Sequence, residues 1–184
     1  IPSVISMVVA SIVWMLILSP GSSGLANRLL AAFGLESKGW LSDSRLAMFS
    51  IVIVMVWKDF GYNMLIYLAG LQNIPGELYQ AAELDGASRP QRILKITLPL
   101  LKPTTFFLSV TTIIGSFQIF TPIYIMTGGG PGYATTTLVN YLYTKGFQEF
   151  EMGYATAISF VLFVILLGLT IVQRRLSRDA DTVI

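Results

Sequence analysis

Four apolar stretches, at 1–18, 46–71, 104–126 and 155–172, dominate this sequence of 184 residues. About 20 apolar residues in helical form cross a hydrocarbon layer of roughly 30 Å, and each stretch comes near that length. Hydrocarbon offers no water to backbone amides and carbonyls, so such stretches must satisfy their hydrogen bonds internally, as helices do. The expected fold class is therefore all-α, a polytopic membrane helical bundle over 1–184 with four spans. Composition agrees: 54% of the residues are apolar and the mean hydropathy is +0.69, too high for an ordinary soluble domain. The stretches at 104–126 and 155–172 carry no charge, and the last stops at Gln173-Arg174-Arg175, a basic interfacial anchor. The second is unusual in holding Lys58 and Asp59 near its middle. The chain opens on IPSVISMVVASIVWMLIL with no initiating Met and no basic leader region. It reads as a piece that begins within a span rather than as a signal peptide.

Several function classes drop out at once. There is no cysteine and no histidine, which removes disulfides, thiolate or imidazole metal sites and the usual general base. The net charge of +2 is scattered, without the basic stripe and interleaved aromatics of a nucleic-acid surface, so no nucleic acid is expected as a partner. No G-x-x-x-x-G-K-[ST] loop is present, so the chain is not itself a nucleotide hydrolase. The run Gly128-Gly129-Gly130-Pro131-Gly132 lacks the Lys-Ser/Thr pair of a phosphate-cradling loop and reads as a turn.

Charge sets the sidedness. Segment 73–103 contains Arg89, Arg92, Lys95 and Lys102, and the tail contains Arg174, Arg175 and Arg178. Loops 19–45 and 127–152 together hold Arg28, Lys38, Arg45 and Lys145. The positive-inside rule then places 74–103 and the C-terminus in the cytoplasm and the Gly-rich turn outside, in a multi-pass protein of the cell (inner) membrane.

The segment between the second and third stretches, QAAELDGASRPQRILKITLPLLKP at 80–103, is charged and broken by Gly86, Pro90, Pro99 and Pro103. Residues 77–84 favour a short helix with Leu78, Ala81 and Ala82 on one side. Asp85-Gly86 then turns the chain, because Gly adopts positive φ without penalty. Ser88-Arg89-Pro90-Gln91 has the form of a capping box that starts a second helix, which Pro99 should end. Two short helices around a sharp glycine turn suit either a solvated loop touching anionic headgroups or a docking surface for a cytoplasmic partner.

These residues also carry a resemblance. The segment is similar to the EAA loop of ABC importer permeases, whose common form is E-A-A, then D-G-A, then I-x-L-P. Here the elements are Gln80-Ala81-Ala82, Asp85-Gly86-Ala87 and Ile96-Thr97-Leu98-Pro99, with Gln80 where the family usually has Glu. Ile74-Pro75, Glu77-Leu78-Tyr79, Val56-Trp57-Lys58, Thr127–Pro131 and Thr135-Thr136-Thr137-Leu138 extend the resemblance to the sugar-type branch, such as the maltose and glycerol-3-phosphate permeases. The resemblance implies the transmembrane domain of a type I ABC importer, with this chain its last four spans. It also implies a second homologous permease, two cytoplasmic ATPases that bind ATP and Mg, and an extracytoplasmic solute-binding protein. The 74–99 loop would be the coupling helix, seated on an ATPase, and the chain itself would bind no cofactor. The permease would pass a sugar or related solute by alternating access without covalent chemistry.

Candidate path residues follow from polarity within the spans. Thr105, Ser109, Thr112 and Ser116 fall on one helical face and either pack against another helix or line a route for a polyhydroxylated solute, with Gln118 adding an amide. The resemblance favours Thr112 and Ser116 as substrate-facing. An intramembrane ion normally faces a cavity or a partner, which makes Lys58 and Asp59, with Tyr62 and Ser3, further candidates. Neighbours on a helix diverge by about 100°, so the two charges need not pair. Alternatively, Gly61 breaks the helix and opens both charges to water. Two rival functions stand beside the importer: an ion-coupled secondary transporter using Lys58 and Asp59, and a scaffold that transports nothing.

Overall fold

The computed structural model describes the backbone of residues 2–181 and the side chains of residues 2–175, and over that range every regular element is a helix. A 3-10 turn, Pro2–Val4, precedes α1 (Met7–Ile17); a second, Gly21–Ser23, leads to α2 (Leu25–Ala32). Next come α3 (Ala47–Gln72), α4 (Gly76–Leu84), α5 (Arg89–Arg92), a π turn over Ile93–Thr97 and α6 (Leu98–Leu100). The chain continues through α7 (Lys102–Phe117), α8 (Thr121–Met126), α9 (Leu138–Tyr143), a second π turn at Thr144–Gln148 and α10 (Met152–Asp181).

Among the described residues, three helical segments are long and apolar enough to cross a membrane: Ala47–Gln72, Lys102–Met126 and Met152–Arg175. The expected first span is shorter as a helix. Ser6, with ψ 141°, interrupts the helical path, so only the 11 residues Met7–Ile17 are α-helical, about 16 Å of rise; Ile1 lies outside the described residues. The third span is one segment in two pieces, α7 and α8, parted at Gln118–Phe120. Pro122 has no N–H to give the carbonyl of Gln118, so an uninterrupted helix is disfavoured there, and Pro122 sits instead in the first turn of α8.

α1 packs on α8 and α3, α3 on α7, α7 on α10, and α10 on α9. α3 and α7 come close at Gly70, where a Cβ would stand 2.7 Å from Thr104 Oγ1 and 3.1 Å from Leu101 Cδ2. A hydrogen bond of 3.2 Å from the Tyr67 hydroxyl to Thr105 Oγ1 lies beside it, the small-residue contact and polar link by which membrane helices associate. The buried apolar cluster is small, Leu18, Val54 and Met126 with Trp14, Trp40 and Leu41 against it. Trp14 meets Trp57 edge to face at 5.6 Å. Large side chains such as Val56, Phe60, Phe160 and Phe163 stand exposed, as on faces turned toward lipid or other helices.

The end of the bundle formed by loops 19–45 and 127–151 is organised by polar side chains. Asn27 is buried and makes four hydrogen bonds: Nδ2 donates to the carbonyls of Ser19 and Lys38, and Oδ1 accepts from Lys38 N–H and Trp40 Nε1. The Gly-rich stretch is a turn, as its composition predicts, with Gly128, Gly129 and Gly132 at positive φ. Thr135 donates to Gly130 O at 2.8 Å and Thr136 to Gly129 O at 3.0 Å. Thr137 caps α9 and donates to Ile119 O, a carbonyl freed by the break between α7 and α8. Lys145 binds Glu149, lies 3.5 Å from Glu151 and sits over the rings of Tyr141 and Tyr154. The bond to Glu149 raises its proton affinity above that of an ordinary lysine.

Candidate functional site

The segment between α3 and α7 forms a helical hairpin, and each turn of it has a local cause. α3 ends at Gln72, and Pro75 supplies the extended residue from which α4 starts at Gly76, with Glu77 in the first turn. α4 ends at Leu84, and Gly86 takes φ +76°. A β-branched residue resists that conformation, so the glycine at the centre of D-G-A is a backbone requirement. The capping box forms at Ser88: Gln91 Oε1 accepts the Ser88 N–H at 2.7 Å and its hydroxyl at 2.9 Å.

Pro99 behaves differently from expectation. It does not end the second helix, which runs through α5, the π turn and α6 to Leu100. A proline inside an α-helix lacks one amide and crowds the carbonyl four residues back. The π turn widens the helix ahead of it, with Leu98 N–H reaching Ile93 O, and Leu101 N–H bonds Thr97 O directly after.

Two links across the hairpin, invisible in the sequence, make it one body. The hydroxyls of Tyr79 and Thr97 share a hydrogen bond of 2.8 Å, and Glu83 meets Arg92 at 3.4 Å. Neither pairing has a sequence signal, because each joins helices whose relative placement depends on the Gly86 turn. The surface is open. No residue of α4, α5, the π turn or α6 is buried, and Leu84 and Leu94 project into solvent, Leu84 at 90% exposure. A concavity of about 410 Å³ lies in the crook, with Ala82, Asp85, Gly86 and Ala87 on one wall and Gln91, Arg92, Lys95 and Ile96 on the other. Of the motif residues, Gln80, Ala81, Asp85, Gly86 and Leu98 are exposed and Ala82, Ala87, Ile96 and Pro99 half-buried.

The polar residues of the spans fall into two groups. Thr112 and Ser116 on α7 and Gln118 just past its end are exposed, with Ser116 donating to Thr112 O at 2.8 Å, so no neighbouring helix of the described chain covers them. Thr105 and Ser109, at the other end of that stripe, bond Tyr67 and the Phe106 carbonyl. Asp59 and Tyr62 on α3 are exposed as well. Lys58 is half-buried and donates to the carbonyls of Pro2 and Ser3, 3.0 Å each, rather than to Asp59. α3 does not break at Gly61. It continues as helix from Ala47 to Gln72, and Gly61 instead lies against Ser3, whose Oγ would be 2.6 Å from a Cβ there.

Comparison with known proteins places this architecture. Residues 1–181 match the family model described as binding-protein-dependent transport system inner membrane component. The probable ABC transporter permease YurN of Bacillus subtilis is 42% identical over 177 residues, 95% of this chain and 60% of that protein. The arabinooligosaccharides transport permease AraP of the same organism is 40% identical, covering 96% and 57%. The sn-glycerol-3-phosphate transport permease UgpA of Yersinia enterocolitica is 39% identical, covering 95% and 59%. The chain thus spans somewhat under two thirds of the length of these relatives. Among solved structures, a bacterial ABC transporter involved in the import of the acidic polysaccharide alginate superposes with a TM-score of 0.87 at 29% identity, over 97% of this chain and 62% of that one. A bacterial alginate ABC transporter in complex with alginate pentasaccharide-bound periplasmic protein gives 0.88.

Proposed function

The chain belongs to the family of binding-protein-dependent transport system inner membrane components, and on that premise we propose that it is a permease subunit of an ATP-binding-cassette importer for a sugar or related polyhydroxylated solute. The observation that carries the reading is the hairpin over residues 76–100. It is internally braced yet buries none of its own residues, as a surface completed by another protein should. Its partner would be a cytoplasmic ATPase that holds ATP and Mg, with Leu84 and the crook around Gly86 meeting the ATPase. Residues 74–103 and the C-terminus would then lie in the cytoplasm. A second, homologous permease would complete the pathway, and a solute-binding protein outside would deliver cargo.

Within the membrane we assign the lining to Asp59, Tyr62, Thr112, Ser116 and Gln118, all exposed and uncovered by other helices of the described chain. Hydroxyls and an amide suit a solute that offers many hydroxyls, and the relatives are named for such cargo. Lys58 and Ser3 are set apart from this lining, because the Lys58 ammonium bonds backbone carbonyls. An ion-coupled mechanism has nothing in its favour: YurN and the alginate transporter are described as ABC transporter components, and AraP and UgpA as transport system permeases. The chain's own part is conformational: closure of the ATPases would push the hairpin and swing the spans between inward and outward access, without covalent chemistry in the permease.

Gly86→Val and Ala82→Asp test the reading in the complete transporter. Valine resists φ +76°, and the aspartate places a charge in the crook. Solute uptake is expected to fall by at least about tenfold, the effect of losing roughly 1.4 kcal/mol of coupling, while the subunit still inserts. Normal uptake by both variants would overturn the assignment.

A further inference from the structure

We propose that Lys58 and Gly61 form a joint that ties α3 to the chain entering α1, so that displacement of the 76–100 hairpin reaches α1 and, through it, α8. The inference rests on the coupling role proposed above and names the positioning residues that would carry motion onward. Pro2–Val4 is a 3-10 turn, and Ser6 leaves the helical path before α1 begins. Non-helical backbone at membrane depth must find partners for its polar groups. Lys58 Nζ stands 3.0 Å from the carbonyls of both Pro2 and Ser3. An ammonium in the middle of a span is costly unless it is countered, and these two dipoles counter it. The attraction is therefore mutual.

Gly61 lies three residues on, on the same face of α3. Its missing side chain gives the turn room, for a Cβ there would stand 2.6 Å from Ser3 Oγ but 3.9 Å from Ser3 Cβ. One residue attracts the turn and the other admits it. α3 is unbroken from Ala47 to Gln72 and leads through Asn73 and Pro75 into α4, and α1 packs on α8. The hairpin, α3, the joint, α1 and α8 thus form a continuous train of packed elements.

The test uses the complete transporter, with the full-length subunit, its ATPases and binding protein in liposomes, and reads solute taken up per ATP hydrolysed. Gly61→Leu puts a branched chain against the Pro2–Val4 turn and should lower that ratio about fivefold, the scale of coupling between contacting residues. Gly61→Ala should retain most of it, because its methyl meets only the Ser3 hydroxyl, which a χ1 rotation moves aside, and Ser3→Ala should leave it unchanged. Lys58→Met should lower the ratio with ATPases still bound, and Lys58→Arg should retain most of it. A harmless Gly61→Leu or a fully coupled Lys58→Met each overturns the joint. If Gly86→Val uncouples uptake and the joint variants do not, the joint alone is wrong; if Gly86→Val is harmless, the force path fails with it.

Discussion

The two ends of the molecule solve the same problem in opposite ways. At the end holding loops 19–45 and 127–151, Asn27, Thr135 and Asn140 are buried, at 3%, 0% and 5% exposure, and the side chains of Asn27 and Thr135 bond backbone and side-chain partners. The hairpin over 76–100 buries none of its residues, although the Tyr79–Thr97 and Glu83–Arg92 links hold its two helices in one geometry. The first end is completed within the chain. The second is shaped in advance but exposed; on the proposed reading a partner completes it, and the preformed shape lowers the ordering cost of binding.

That contrast can be broken or sharpened by substitution. The largest effect should come from Asn27→Leu, which strands the Lys38 N–H, the Trp40 indole N–H and two carbonyls in a buried site. Several unmet partners at about 1–3 kcal/mol each predict a loss on the order of 4 kcal/mol, seen as early thermal unfolding in detergent and proteolysis within 19–45. Thr135→Val keeps the shape but removes the bond to Gly130 O and the contact with Thr127, for about 1–2 kcal/mol in the same assay. Arg92→Ala should be smallest, under about 1 kcal/mol, because its partner Glu83 is largely exposed. Equal losses from Asn27→Leu and Arg92→Ala would erase the distinction between the two ends.

How much can be read from sequence depends on the range of the physics involved. Span length is a local property, and the helices of the second and fourth stretches begin and end within a few residues of expectation, apart from the extension of α10 to Asp181. The Gly86 turn and the Ser88 cap are equally local, each settled by residues within four positions of one another. The break at 118–120 has a signal in Pro122, but a continuous membrane helix can also hold a proline, so the residue alone does not locate a break. Lys58 marks the limit: its partners lie 55 and 56 residues away, so its polarity announces a site but not which carbonyls it meets. Asn27 carries no signal of its own, because the partners that make it a hub, Ser19, Lys38 and Trp40, lie 8, 11 and 13 residues away.

The π turn at Ile93–Thr97 carries an evolutionary consequence. Loops usually tolerate changes of length, yet a π turn is in effect one residue inserted into a helix, and each residue rotates the downstream helix by about 100°. Removing that residue would bring Pro99 against an α-helical carbonyl and turn α7, with Thr112 and Ser116, away from its present bearing on α3. The length of 93–97 is therefore more tightly constrained than the identity of an exposed side chain such as Ile93, while Thr97 is bound to Tyr79.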